Sequence, residues 1–160
     1  MLVKGITDED FVNYKVPSMF IATATCSFKC DKEYGKPVCQ NSELVKQPSH
    51  DISNALIANR YIHNDITRAL VFGGLEPFDQ YDDMCHLISI IRDNYHLPDD
   101  IVIYTGYNRD EIEDKVVFLI ERYSNLIIKF GRYIPDQQPH YDPVLGVYLA
   151  SDNQYAERIS

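Results

Sequence analysis

The stretch RALVFGG, Arg68 to Gly74, decides how the chain is read. Ala69 to Phe72 is an uninterrupted apolar run, too short for a helix and stopped by two glycines, so it predicts a strand with both faces covered. What flanks it has a different period. Downstream, YDDMCHLISIIRDNY places Met84, Leu87, Ile88 and Ile91 at helical spacing. Then DDIVIYTGY gives a second apolar strand, Ile101 to Tyr104, ended by Gly106. RDEIEDKVVFLIERY follows with Ile112, Val116, Leu119 and Ile120 on one side and acids in its first turn, where the helix dipole favours them. NLIIKFGRYI reads as a further strand or pair of strands. Upstream, SHDISNALIANRYIHND offers Ser49 as an N-cap with Ile52, Ala55 and Leu56 on one face. VPSMFIATA, Val16 to Ala24, is a short buried strand that runs straight into cysteines.

Continuous apolar strands alternating with amphipathic helices predict an α/β fold, a mostly parallel sheet joined by right-handed crossovers. At 160 residues the chain is expected to form a single domain over 1–160, without internal repeats or a linker rich in Gly and Ser. Hydrophobic residues make up 45% and charged residues 24%, which suits an ordinary globular core. Fifteen Lys and Arg against 24 Asp and Glu give a formal charge of -9, which repels a polyphosphate, so nucleic acid is not expected as a partner. No segment approaches the roughly 18 apolar residues of a membrane span, and the amino terminus has no secretory pattern. The expected location is the cytoplasm, where clustered cysteines point to metal or redox chemistry before disulfides.

In parallel α/β sheets, sites form where strands give way to loops at their carboxyl ends. Here those loops read ATCSFKC, GGLEPFDQ and TGYNRDE, so the unusual residues converge on one edge. Three of the four cysteines lie close together: three residues separate Cys26 from Cys30, and eight separate Cys30 from Cys39. Burial as small hydrophobes sits badly with Ser27, Lys29, Asp31, Lys32 and Glu33 around them. A structural zinc site wants four ligands and would need His50, Cys85 or His86 to complete it. Three thiolates on a four-iron cube leave one iron without a cysteine, free to take a substrate or cofactor. Gly35 and Pro37 supply turn chemistry for a wide gap that leaves and returns.

Several segments, taken in order, resemble the radical S-adenosylmethionine (SAM) enzymes, and among them the small activating proteins of anaerobic ribonucleotide reductase. FVNYKVPSMFIATATC is similar to that family's opening strand and cysteine loop, and PVCQN to the end of that loop. FGGLEP resembles its glycine-rich motif, IVIYTGY its next strand and turn, FGRYIPDQ its late hairpin and ASDNQYAERI its closing segment. The resemblance implies a small partial (β/α) barrel of the radical SAM type and a [4Fe-4S] cluster held by Cys26, Cys30 and Cys39. It implies SAM as second cofactor, met by Gly73, Gly74, Glu76, Thr105 and Asn153. The implied activity is reductive cleavage of SAM to install a glycyl radical on a partner, an anaerobic ribonucleotide reductase, with flavodoxin or ferredoxin as electron donor. A radical SAM enzyme acting on a small molecule, and a noncatalytic metal-binding module, are the alternatives. The chain departs from the family's usual CxxxCxxC spacing by its longer second gap, has Val38 in place of an aromatic, inserts Leu75 between Gly74 and Glu76, and carries Phe130 where many relatives have an acid. Arg132 reads as a surface charge, or as a contact for the methionine carboxylate or the partner.

Overall fold

The computed structural model describes residues 1–160 and bears out the α/β reading with a mixed, mostly parallel sheet. Nine strands form: β1 (Leu2–Asp10), β2 (Ser18–Thr23), β3 (His50–Asp51), β4 (Ala69–Gly74), β5 (Asp100–Tyr104), β6 (Leu126–Phe130), β7 (His140–Asp142), β8 (Val147–Leu149) and β9 (Tyr155–Arg158). The helices are α1 (Lys29–Tyr34), α2 (Ser42–Lys46), α3 (Asn54–Ile62), α4 (Tyr81–Ser89) and α5 (Glu113–Arg122). Seven strands make one sheet in the order β3-β1-β2-β4-β5-β6-β9, while β7 and β8 form a separate hairpin. The four central strands β2, β4, β5 and β6 are parallel, and β1 and β9 flank them antiparallel. The sheet does not close, because β3 and β9 are its two edges.

Alternation along the central strands divides the core. Met19, Ile21, Leu70, Phe72, Ile101, Ile103 and Ile128 face the helices, where Ile57, Tyr61, Met84, Leu87, Ile88, Ile91, Val116 and Leu119 meet them. Ala69, Val71, Val102 and Ile127 face the other way, onto Tyr14, Leu145 and Leu149. Each fully buried side chain of this size contributes about 1.5–3 kcal/mol of transfer free energy, which is why strands apolar on both faces settle in the middle of the sheet. The second face is covered only at its lower end, by the β7–β8 hairpin and the loop carrying Tyr14. Asp142 holds that hairpin against β9 by accepting from the backbone N–H groups of Val144, Leu145 and Ala156 at 2.9 Å each.

Two local expectations are corrected. Helix α3 is capped by Ser53, whose hydroxyl accepts the Leu56 N–H at 3.3 Å, and not by Ser49. Residues 50–51 instead pair with β1, a strand the sequence reading did not anticipate. The buried face of α3 is accordingly Ile57, Ala58 and Tyr61, while Leu56 is 59% exposed. Of the two readings of the segment from Leu126, the single strand is the one that forms, with its turn at Gly131 in the left-handed region. No helix is long and apolar enough to cross a membrane.

Candidate functional site

A cleft of about 380 Å³ opens over the carboxyl ends of β2, β4, β5 and β6, above the part of the sheet that the hairpin covers. The row of residues one step beyond the apolar layer forms its floor: Gly73 on β4, Tyr104 on β5 and Lys129 on β6. Cys26, Cys30 and Cys39 line the same cleft, as do Gly74, Glu76 and Thr105.

The loop after β2 that carries Cys26 is braced by the segment after β4. Leu75 N–H donates to the Thr23 carbonyl at 3.2 Å and Glu76 N–H to the Thr25 carbonyl at 2.9 Å. The Gln80 side-chain oxygen accepts from Ala24 and Thr25 at 2.9 and 3.2 Å, and the Asp79 carboxylate accepts from Ser27 N–H at 2.5 Å. The Cys26 sulfur accepts the N–H of Phe28 at 3.2 Å. Gly74 makes this close approach of two loops feasible. Its φ is +85°, and a Cβ there would stand 2.7 Å from the Ala22 Cα and 2.9 Å from the Thr23 nitrogen.

Cys30 sits in the first turn of α1, and the wide gap is a short excursion. The helix ends at Gly35 in left-handed conformation, and the chain then doubles back. Asp31 Oδ1 accepts the N–H groups of both Val38 and Cys39, at 2.8 and 2.9 Å, which returns Cys39 beside Cys30. Asn41 anchors the far side by donating to the Gly74 carbonyl at 2.7 Å. Lys4 then caps α2 through the Val45 and Gln47 carbonyls at 2.9 and 2.7 Å. Cys85, the fourth cysteine, packs against the helical core on α4.

Charge in the cleft is unlike that of the whole chain. Lys29, Lys129 and Arg132 line it, and Glu76 is its only acid. Glu76 is buried, and its carboxylate is fully engaged. One oxygen accepts from the Thr105 hydroxyl at 2.7 Å and Phe78 N–H at 3.1 Å, the other from Gly106 N–H at 2.8 Å. Burial pushes its pKa up to about 7 against those hydrogen bonds. Thr105 therefore presents its hydroxyl proton to Glu76 rather than to the cleft.

Arg132, expected as a surface charge, is only 8% exposed. It donates to Glu111 at 2.5 Å and pairs with Glu33 of α1 at 3.3 Å, while Lys29 reaches the same Glu111 oxygen at 3.0 Å. Arg132, with help from Lys29, holds the Glu111 carboxyl down to about 2. This network ties helix α1, and with it Cys30, to the loop after β5. Asn153 does not line the cleft. It lies under Gly131 and donates to the Arg132 carbonyl at 2.9 Å, and its neighbour Gln154 reaches the cleft instead. Of the floor residues, Tyr104 was read from the sequence only as the end of a strand and Lys129 was not singled out, although a lone lysine inside LIIKF was a visible irregularity.

The donor set suits an iron–sulfur cluster. Three cysteines line the one cleft, and soft thiolates are the ligands such clusters take. Burial raises the Cys26 and Cys30 thiols to about 12 and about 11, so they are neutral without a bound cation, and ligation by iron displaces their protons. No group of three or more His, Cys, Asp or Glu side chains converges on one point as a single metal ion requires, whereas a four-iron cube takes each thiolate on a different iron. Residues 17–148 match the sequence model of a family described as "4Fe-4S single cluster domain". No curated protein matches the chain, and no solved structure does.

Proposed function

Because the chain belongs to the 4Fe-4S single cluster domain family and is an iron–sulfur protein, we propose that it is a radical SAM enzyme of the activating kind, with Cys26, Cys30 and Cys39 as the cluster ligands. The observation that carries this reading is the sharing of one cleft by three thiols, the Gly73–Gly74 pair and the carboxyl ends of four parallel strands. A [4Fe-4S] cluster held by Cys26, Cys30 and Cys39 would supply the electron for reductive cleavage of SAM.

The chain's own contribution is positioning and shielding. Cys85 packs against the helical core and does not line the cleft, so Cys26, Cys30 and Cys39 are the three cysteines that would hold the cluster. Gly73 and Gly74 keep the β4 end free of side chains, so a ligand's polar groups can approach backbone there. Tyr14, Leu145 and Leu149 pack on the sheet as a buried apolar layer, and Leu149 also lines the cleft. A volume of about 380 Å³ is at the low end for one cofactor-sized ligand. A second small substrate therefore has little room inside, which favours a macromolecular partner that brings its reacting residue to the mouth. Exposed Tyr148 lines that mouth and stacks edge-on with exposed Tyr141 at 5.7 Å. We take the partner to be a glycyl-radical enzyme such as anaerobic ribonucleotide reductase, and a small flavodoxin or ferredoxin to be the electron source.

The test is anaerobic reconstitution with iron and sulfide, followed by dithionite and SAM, with 5′-deoxyadenosine measured by chromatography. Stoichiometric cluster with no nucleoside product overturns the SAM reading while leaving an iron–sulfur protein. Glycyl-radical spin resonance on an added reductase then tests the partner.

A further inference from the structure

We infer that the loop between Cys30 and Cys39 is the docking face for an acidic one-electron carrier of the ferredoxin class, held by Lys32 and Lys36. The inference deepens the proposed function and rests on its assignment of the cluster to Cys26, Cys30 and Cys39, whatever the cleft binds.

The distribution of free charge carries it. The chain has 15 Lys and Arg. Every one except Lys32 and Lys36 donates a hydrogen bond to a protein oxygen or pairs with a carboxylate. Both exceptions lie in the wide gap between two cysteines, and both are exposed. The acids of the same segment are engaged: Asp31 accepts from Val38 and Cys39, Glu33 pairs with Arg132, and Glu43 pairs with Lys46. The loop therefore shows solvent two uncompensated positive charges on a chain whose formal charge is -9. An acidic protein is repelled by most of such a surface and steered to the place where free cations gather. Tyr34 lies between the two lysines in the chain, 42% exposed, with the Lys36 ammonium 5.7 Å from its ring centroid. It offers the kind of flat aromatic contact that interfaces favour at their centre.

Chemistry selects an electron carrier from among acidic partners. Electron transfer between proteins falls off steeply with distance, and this exposed loop joins two of the cysteines assigned to the cluster. The cleft, the other approach to those cysteines, presents Lys29 and Arg132 only in ion pairs with Glu111. A small charged patch suits a transient redox encounter, whose interfaces are among the smallest. One electron passes from the reduced carrier to the oxidised cluster, and no bond changes.

The experiment uses the full chain, reconstituted anaerobically, and an acidic [2Fe-2S] ferredoxin as probe, with binding measured by calorimetry at low and at high salt. K32E/K36E should retain wild-type iron and sulfide, and at low salt should bind the ferredoxin about tenfold or more weakly than wild type. The difference should close at high salt, where exposed charges are screened. R60E/R122E changes the net charge equally at paired cations on α3 and α5, and should bind within about threefold of wild type. Stopped-flow oxidation of reduced ferredoxin by the cluster should slow in K32E/K36E, whereas reduction of its cluster by photoexcited deazaflavin should match wild type. No binding by wild type, wild-type binding by K32E/K36E, an equal loss in R60E/R122E, or a difference that persists at high salt overturns the docking face while the cluster reading stands. Failure of wild type to hold a cluster after reconstitution overturns both.

Discussion

One oxygen of Asp31 accepts the backbone N–H of Cys39 at 2.9 Å, and the same oxygen accepts that of Val38 at 2.8 Å. A residue adjacent to Cys30 thus closes the loop that brings the third cysteine home. Lengthening a surface loop costs little closure entropy, but aiming its last residue requires a specific contact, and Asp31 supplies it. Asp31→Ala should therefore lower iron and sulfide retained after reconstitution severalfold, as loss of two charge-assisted bonds implies. The thermal midpoint of the cluster-free chain should hardly move, because the loop lies outside both apolar clusters. Unchanged iron content would falsify the role given to this contact.

The four cysteines should separate into two groups. Alanine at Cys26, Cys30 or Cys39 should abolish the visible absorption of the reconstituted cluster. Alanine at Cys85, which packs on α4 against the helical core, should leave iron content intact. Its cost is in stability alone, about 1 kcal/mol for a small core truncation. A cluster that survives Cys39→Ala would show that the long gap removes this residue from the ligand set.

The two glycines after Phe72 should respond differently to alanine. At Gly74 a Cβ meets backbone atoms at 2.7 and 2.9 Å with φ at +85°, so neither side can yield. Gly74→Ala should lower unfolding free energy by about 2–4 kcal/mol in urea titration, from left-handed strain together with overpacking. At Gly73 the Cβ meets only the Phe20 ring, at 2.8 Å, and a ring can turn aside. Gly73→Ala should be the milder change for stability, and its effect should appear in ligand affinity because the added methyl rises from the cleft floor. Equal destabilisation by the two would contradict this.

The Glu111 clamp should weaken in acid. The folded-state pKa of about 2 lies below the ordinary 4.5, so the folded chain binds fewer protons there than the unfolded one. Its stabilisation is complete above pH 4.5 and is lost as pH falls through that value toward 2. The carboxylate is partly solvated, so the whole contribution is under about 1 kcal/mol. Thermal melts of cluster-free wild type and E111Q should differ at pH 6 and converge by about pH 2. A difference between them that stays constant across this range would count against the clamp.

Much of the sheet was legible because it is written in short-range periodicity. Leu70, Phe72, Ile101 and Ile103 sit in runs whose length and composition suit only buried strands, and the Met84–Leu87–Ile88–Ile91 spacing marks a helix face whatever lies beneath it. The ends of those runs carried the site, so cysteines, glycines and Glu76 could be assigned to one edge before any coordinates. Ser49 shows the limit. It has a capping residue's chemistry, yet pairing of His50 and Asp51 with β1 takes that segment into the sheet and leaves capping to Ser53.

What the sequence by itself determined is therefore the order of elements and the inventory of reactive groups, since both depend on neighbours within a few residues. Tertiary structure alone decided which charges are spent and which are spare. Arg132 is neutralised by Glu33 and Glu111, which are distant in sequence, while the parallel register of β5 and β6 sinks Lys129 into the cleft floor without a carboxylate. Electrostatic partnership acts through space between segments that only the fold brings together, so no local pattern can announce it.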